Sequence, residues 1–347
     1  MKTPRFLVIR RDNIGDLVCT TPLFAGLRQR YTDAWIGVVA NSYNAPVLEG
    51  NPDIDVVYAY RKAKHGETGP LGAAWDRVRL LAALRREALD YAIVATPADR
   101  DRGLAIARLA GAKHVVAFVG HGVNARGVDM PLALEHGNAV SEVELVWRIA
   151  HALGVEGPPP ATKVIAPRDV ADRARATVAS RQWRAHGPLI AVHLSARKPS
   201  QRWPVERFVE LMHALHERED AGFILFWAPG AESNRQHPGD DDKARAVVDA
   251  TASLPVLPWP TLELRELIGA LAVCDRAVLA DGGAMHIAAA LGKPLVALFG
   301  DSDARRWRPW GIPHEIVQFD SRKVEDIGVG AVLDACARLG SLSPPHC

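Results

Sequence analysis

Phe6-Leu7-Val8-Ile9 is closed by Arg10 and Arg11, and the loop Arg11-Asp12-Asn13-Ile14-Gly15-Asp16 follows at once. Four apolar residues with no polar alternation read as a strand buried on both faces, which is the mark of a parallel sheet. Trp35-Ile36-Gly37-Val38-Val39 and Tyr91-Ala92-Ile93-Val94 repeat the signature, and Val56 to Tyr60 adds a further strand. Helical patterns over Leu23–Arg30, Trp75–Ala88 and Ala139–Leu153 lie between and after them. A βαβα succession of this kind predicts an α/β fold with helices on both faces of the sheet.

Gly154 to Pro160 (GVEGPPP) breaks the pattern and reads as an interdomain linker. The alternation then restarts. Strands are expected at Leu189–His193, Phe223–Trp227, Ala277–Ala280 and Leu295–Phe299, with helices at Val205–Leu215, Leu262–Val273 and Ala284–Leu291. The chain has 347 residues, comfortable for two domains. The expected division is 1–157 and 158–322, with a C-terminal segment 323–347. Ligands of open α/β sheets bind at the carboxyl ends of the strands, so two such sheets facing each other predict a site in the cleft between them.

Hydrophobic residues make up 48% and charged residues 24% of the chain, as in ordinary globular proteins. A net charge of +2 supplies no global field toward nucleic acid, so acidic ligands must be met by local clusters. Cys19, Cys274, Cys336 and Cys347 form no CxxC pair, which argues against a metal finger or a disulfide scaffold and for a reducing compartment. Phe6–Ile9 is too short for a signal-peptide core, and the longest apolar stretch, Ile287 to Gly300, is broken by Lys293-Pro294. A cytoplasmic protein able to rest on a membrane surface is expected.

Five loops carry residues suited to chemistry. Asp16 follows the first strand, where a carboxylate can take a proton from a hydroxyl, or else cap the next helix; the sequence leaves both open. Asp281-Gly282-Gly283 opens an Ala-rich helix, and glycines at a helix N-terminus let a phosphate reach free backbone N–H groups. His286, in that helix's first turn, is either a packed core residue or a ligand contact. Leu194 to Pro204 gathers Ser195, Arg197, Lys198 and Arg202, a set suited to a diphosphate, or to a solvated basic loop. Ala228-Pro229-Gly230-Ala231-Glu232 offers Glu232 to ribose hydroxyls, and Arg61-Lys62-Ala63-Lys64-His65 offers Arg61, Lys62 and Lys64 to an acidic acceptor. Asp301-Ser302-Asp303 spells a DxD but falls after the last predicted strand, and Asp240-Asp241-Asp242 reads as a solvent-facing turn, so neither supports a metal site.

The opening FLVIRRDNIGDLVCTTPLFAGLRQRYTDAWIGVV with LEGNPDIDVV, the stretch LADGGAMHIAAALGKPLVALFGDSDARRWRPWG, the segment QRWPVERFVELMHAL and Gly230–Glu232 together resemble glycosyltransferase family 9, the ADP-heptose:lipopolysaccharide heptosyltransferases, over essentially the whole chain. The resemblance implies a GT-B fold of two Rossmann-like domains, with a C-terminal helix crossing back to the first. It implies inverting transfer from an ADP-sugar, held by the second domain, to a glycolipid-type acceptor held by the first, with no metal or other cofactor. Position by position, it implies Asp16 as general base and Asp281, Gly282 and Gly283 as the diphosphate turn. Glu232 falls near the ribose, and Arg61, Lys62 and Lys64 at the acceptor. The chain departs from the family pattern at Gly282, where a threonine is usual, and at Gln201, where a lysine is usual. Arg197, Lys198 or Arg202 would then supply the missing phosphate cation. UDP-sugar epimerases share the fold but need several cleft carboxylates and histidines, a constellation not evident in this chain. A non-catalytic nucleotide-sugar binder is the remaining alternative.

Overall fold

The computed structural model describes residues 3–60, 70–96, 100–120, 126–134, 140–181, 186–231 and 239–342. The chain forms two compact units, Met1–Ile165 and Ala166–Cys347.

The first unit runs β1 (Arg5–Ile9), α1 (Ile14–Val18), α2 (Thr21–Arg30), β2 (Trp35–Asn41), β3 (Val56–Tyr60), α3 (Pro70–Arg86), β4 (Tyr91–Val94), α4 (Arg100–Leu109), β5 (His114–Gly120), β6 (Met130–Leu134) and α5 (Glu142–Ala152). Its six strands are all parallel, in the order β3-β2-β1-β4-β5-β6. That is the Rossmann order, and it places the switch point between β1 and β4. Leu7 and Ile9 point to one face and pack with Val39, Val94, Leu84 of α3 and Leu104 of α4. Phe6 points to the other face, its ring 5.3 Å from that of Tyr31. Each fully buried aliphatic side chain contributes roughly 1.5–3 kcal/mol, which is why β1 admits no polar residue until Arg10.

The segment after Gly154 belongs to the first unit, so the division lies beyond the expected 157/158. Trp147 Nε1 donates to the Gly157 carbonyl at 2.8 Å. Lys163 N donates to Thr21 Oγ1 at 2.9 Å, and Lys163 Nζ meets Asp53 at 2.9 Å. These bonds fasten the proline-rich stretch down rather than leaving it as a free hinge.

The second unit runs α6 (Arg168–Ser180), β7 (Leu189–His193), α7 (Val205–Glu219), β8 (Gly222–Trp227), α8 (Asp241–Ala250), β9 (Val256–Pro260), α9 (Leu264–Leu271), β10 (Arg276–Ala280), α10 (Gly283–Ala290), β11 (Leu295–Phe299), α11 (Ala304–Trp307), β12 (His314–Gln318) and α12 (Val329–Leu342). Its parallel sheet, β12-β11-β10-β7-β8-β9, repeats the order of the first, with the switch point between β7 and β10. Helix α12 packs on the second unit. Its Val332, Leu333, Cys336 and Leu339 join Leu211 and Leu215 of α7 and Val317 of β12 in one core. Among the described residues no helix is long and apolar enough to cross a membrane.

Candidate active site

At the β1/β4 switch point one guanidinium organises three carboxylates. Arg10 directly follows β1 and is fully buried. Its Nη1 donates to the carbonyl of Ala95, just past β4. Its Nη2 donates to Asp16 Oδ1 at 2.8 Å and to Glu142 Oε1 at 2.6 Å, and its Nε lies 3.2 Å from Asp12 Oδ2. Glu142 opens α5, and its side chain is completely buried. The Asp12 carbonyl accepts from Tyr43 Oη at 2.7 Å and Asn44 Nδ2 at 3.2 Å, which fixes the turn that aims these side chains.

Asp16 is the third residue of α1, where Oδ2 accepts from both Asn13 N at 3.1 Å and Asn13 Nδ2 at 3.0 Å. The capping role left open by the sequence is therefore realised, but through Oδ2; Oδ1 is turned to Arg10. Burial works to raise the pKa of Asp16, yet the charge of Arg10 and the hydrogen bonds from Asn13 and Arg10 outweigh it, and the group titrates below the usual aspartate range. Asp12 goes the other way. Burial raises it, Arg10 only partly offsets that, and the like charges of Asp16 and Glu142 push it further up. The shared arginine thus leaves two of these carboxylates shifted in opposite directions, Asp16 downward and Asp12 upward.

At the β7/β10 switch point the second unit places its own pair of loops side by side. Gln201 Nε2, in the loop after β7, donates to Asp281 Oδ2 after β10 at 2.7 Å and to Ser302 Oγ at 3.1 Å. Both Gln201 and Asp281 are buried. Lys198 Nζ reaches the same neighbourhood, 3.3 Å from Asp301 Oδ1 and 3.5 Å from Ser302 Oγ. Gly282 is exposed, with extended backbone (φ 162°), and a Cβ there would meet only the Ala280 carbonyl oxygen, at 4.0 Å. The entrance of α10 is therefore open to a ligand. The loop is pinned from behind: Trp203 is buried, stands edge-on to Phe208 and donates Nε1 to the Ile327 carbonyl at 2.9 Å. A Cβ on Gly300 would run into the carbonyl oxygen of Ser200, so only glycine lets the two loops close up.

Of the sequence-predicted residues, Asp281, Gly282 and Gly283 sit at the strand tip with Lys198 beside them. Ser195 Oγ accepts from Ala228 N at 2.9 Å and so ties the β7 loop to the β8 loop. Arg202 Nε donates to the Ala196 carbonyl at 3.2 Å within its own loop, and Arg197 is exposed. His286 is buried, with its ring edge-on to Trp307 at 6.1 Å, a packed position in the core of α10. Glu232, Arg61, Lys62 and Lys64 lie outside the described residues. His193, at the end of β7, is neutral: burial pushes its imidazole down to about 4, and Nδ1 faces the Ser195 carbonyl at 3.1 Å.

Sequence reasoning missed Arg10, Asp12 and Glu142. Glu142 sits 132 positions from Arg10, and no local pattern announces such a partner. It also read Asp241 as part of a solvent-facing turn. Asp241 does face solvent, but it opens α8 and accepts from Trp227 Nε1 at 2.8 Å and Gly230 N at 2.9 Å, which ties down the loop after β8. The Asp301–Asp303 triplet is likewise spoken for, Asp301 by Lys198 and Asp303 as the cap of α11.

Residues 77–330 match the sequence profile of glycosyltransferase family 9 (heptosyltransferase). The chain belongs to that family. Lipopolysaccharide heptosyltransferase 3 of Escherichia coli is 25% identical over 318 residues, which cover 88% of this chain and 85% of that enzyme. The fold is shared with a glycosyltransferase family 9 protein of Veillonella parvula, at a TM-score of 0.81 and 18% identity over 99% of both chains. It is shared equally with E. coli heptosyltransferase WaaC solved with ADP, at a TM-score of 0.76 and 15% identity over 96% of this chain and 99% of that one. The family member described here is thus a GT-B protein, two Rossmann-like units in one chain, each with its polar residues gathered at the switch point of its sheet.

Proposed function

We propose that this member of the family moves a heptose, or a closely related sugar, from an ADP-sugar to a lipopolysaccharide-type acceptor by a single inverting displacement without a metal ion. The observation that carries this reading is the Asp16 carboxylate, kept ionised in a buried cluster at the strand tip of the first unit. Asp16 takes the proton of the acceptor hydroxyl as its oxygen attacks the anomeric carbon. Charge then grows on the departing nucleotide diphosphate. The open N-terminus of α10 and the cations Lys198, Arg197 and Arg202 stabilise it, in the place a divalent ion takes in metal-dependent transferases. Glu232 holds the ribose, and Arg61, Lys62 and Lys64 grip the phosphates of the acceptor.

The test is to incubate the protein with ADP-heptose and a lipid A–Kdo-type acceptor in excess EDTA and to follow ADP release and the anomeric configuration of the product. Release of ADP with inversion is expected. If the protein is stabilised by ADP-heptose against heat but releases no ADP with any acceptor, it is a binder rather than a transferase.

Gly282 gives a second, smaller test of the donor turn. Its extended backbone and open surroundings admit a side chain without strain. Gly282→Thr is expected to leave the melting temperature unchanged and to tighten ADP binding about two- to tenfold, the effect of one added hydroxyl donor. Unchanged or weakened binding by calorimetry would place the diphosphate elsewhere.

A further inference from the structure

The carboxyl ends of β1, β2 and β3 carry side chains to which the proposed chemistry gives no task. These three strands are neighbours in the first sheet. Arg11 comes just after β1, Tyr43 just after β2, and Tyr60 is the last residue of β3. The Arg11 guanidinium lies 4.8 Å from the centre of the Tyr60 ring, and its Nε donates to Tyr60 Oη. Tyr43 is 43% exposed, yet its ring is held in place, because Oη donates to the Asp12 carbonyl at 2.7 Å. Asn41 and Asn44, both buried, donate to the same carbonyl at 3.3 and 3.2 Å and brace the turn that Tyr43 grips. The peptide unit between Asp12 and Asn13 joins this group to Asp16: its carbonyl accepts from Tyr43, and its N–H donates to Asp16 Oδ2 at 3.1 Å. Ring and carboxylate are thus separated by two hydrogen bonds and one planar peptide, about the reach of one pyranose with its hydroxyl.

We propose that Tyr43 and Arg11 form a platform for a single sugar ring. The pyranose that is to be glycosylated lies with its C–H face on the Tyr43 ring, Arg11 donates to its oxygens, and its hydroxyl is thereby carried to Asp16. This deepens the transferase reading above and rests on it for the identity of the sugar as the acceptor. The face of an aromatic ring is electron-rich and suits the slightly positive C–H groups of a pyranose. A guanidinium offers several donors in one plane to hydroxyl or carboxylate oxygens. Anchoring Tyr43 by its hydroxyl removes a freedom that would otherwise be lost when the ligand binds. A single exposed tyrosine is ordinary; this one is tied to the turn of the proposed base, beside an arginine stacked on a second tyrosine. The adenine of a nucleotide also stacks on aromatic rings, so ADP affinity serves as the control.

The experiment is calorimetric titration of the full chain with a deacylated, water-soluble lipid A–Kdo oligosaccharide, which reads binding without turnover. Tyr43→Ala is expected to weaken that binding about tenfold or more, and Arg11→Gln about fivefold or more. Tyr43→Phe keeps the ring and removes only its anchor, so it should weaken binding about threefold or less. A merely structural part for Tyr43, in holding the Asp12 turn, would make the Phe variant as weak as the Ala variant. ADP affinity should be the same in all three. Circular dichroism and melting temperature show which variants are folded, and Arg11→Gln decides the matter if Tyr43→Ala is not. Equal binding by a folded Tyr43→Ala, a fall in its ADP affinity, or no binding of the oligosaccharide by the unaltered chain overturns the platform. If the expected pattern is found but no ADP is released in the transfer assay above, the transferase reading fails and the platform stands as a sugar-binding site.

Discussion

Asp16→Asn is expected to lower kcat about a thousandfold, a loss of about 4 kcal/mol in transition-state stabilisation, while ADP binding stays within twofold. The substitution keeps shape and volume but removes a carboxylate that Arg10 and Asn13 hold ionised in the first turn of α1. It carries a structural cost as well. Asp16 accepts from Arg10 on one oxygen and from Asn13 on the other, so an amide must turn its NH2 against one set of donors. That mismatch costs about 1–3 kcal/mol of stability. The melting temperature and circular dichroism of the variant separate the two effects, because the mismatched bonds lie in the first unit, while ADP is proposed to bind the second. A variant that binds ADP and still turns over at near the original rate removes Asp16 from the chemistry. Loss of ADP binding along with turnover would point to misfolding.

Arg10→Met should be the most destabilising single change in the first unit, by about 3–5 kcal/mol in chemical denaturation at neutral pH. Methionine fills much the same space, but Asp16 and Glu142 would face each other, and Asp12, with no cation between them. The effect of pH has a definite sign. In the native chain Asp16 titrates below its unfolded value of about 3.9, so its contribution is present above that pH and lost as pH falls through the folded pKa. Without Arg10 the folded carboxylates rise above their unfolded values, and protonation then favours the folded state. The gap between the two proteins is therefore expected to be widest near neutrality and to narrow toward pH 4. Adding Glu142→Gln to Arg10→Met should restore part of the loss. A gap that is independent of pH would mean that packing, not charge, dominates at this position.

Most strands inside the two sheets were legible because they are continuous apolar runs, although β5 (His114–Gly120) was not read from the sequence. Phe6–Ile9, Tyr91–Val94, Ala277–Ala280 and Leu295–Phe299 need no more than that signature. The edges were not. β6 and β9 carry Pro131, Pro258 and Pro260, which interrupt their apolar residues and are of the type that argues against a strand. An edge strand tolerates proline because one side of it has no ladder to complete. The site divided in the same way. Asp16 and Asp281–Gly283 lie at strand tips, where loop composition and position point to ligands. Glu142 reaches Arg10 only through the folding of α5 onto the sheet, and the pairing of Gln201 with Asp281 spans 80 positions. Such long-range contacts leave no periodic trace.

The close approach at Gly300 has a bearing on how donor preference changes over generations. The loop of Arg197, Lys198 and Gln201 is braced by backbone, through Trp203 beneath it and the Ser200 carbonyl against Gly300. Its more exposed side chains, Arg197 and Lys198, can be exchanged one at a time while the backbone keeps its shape. Position 300 has no such freedom, so under the proposed function the donor loop can change its charges but not its backbone path.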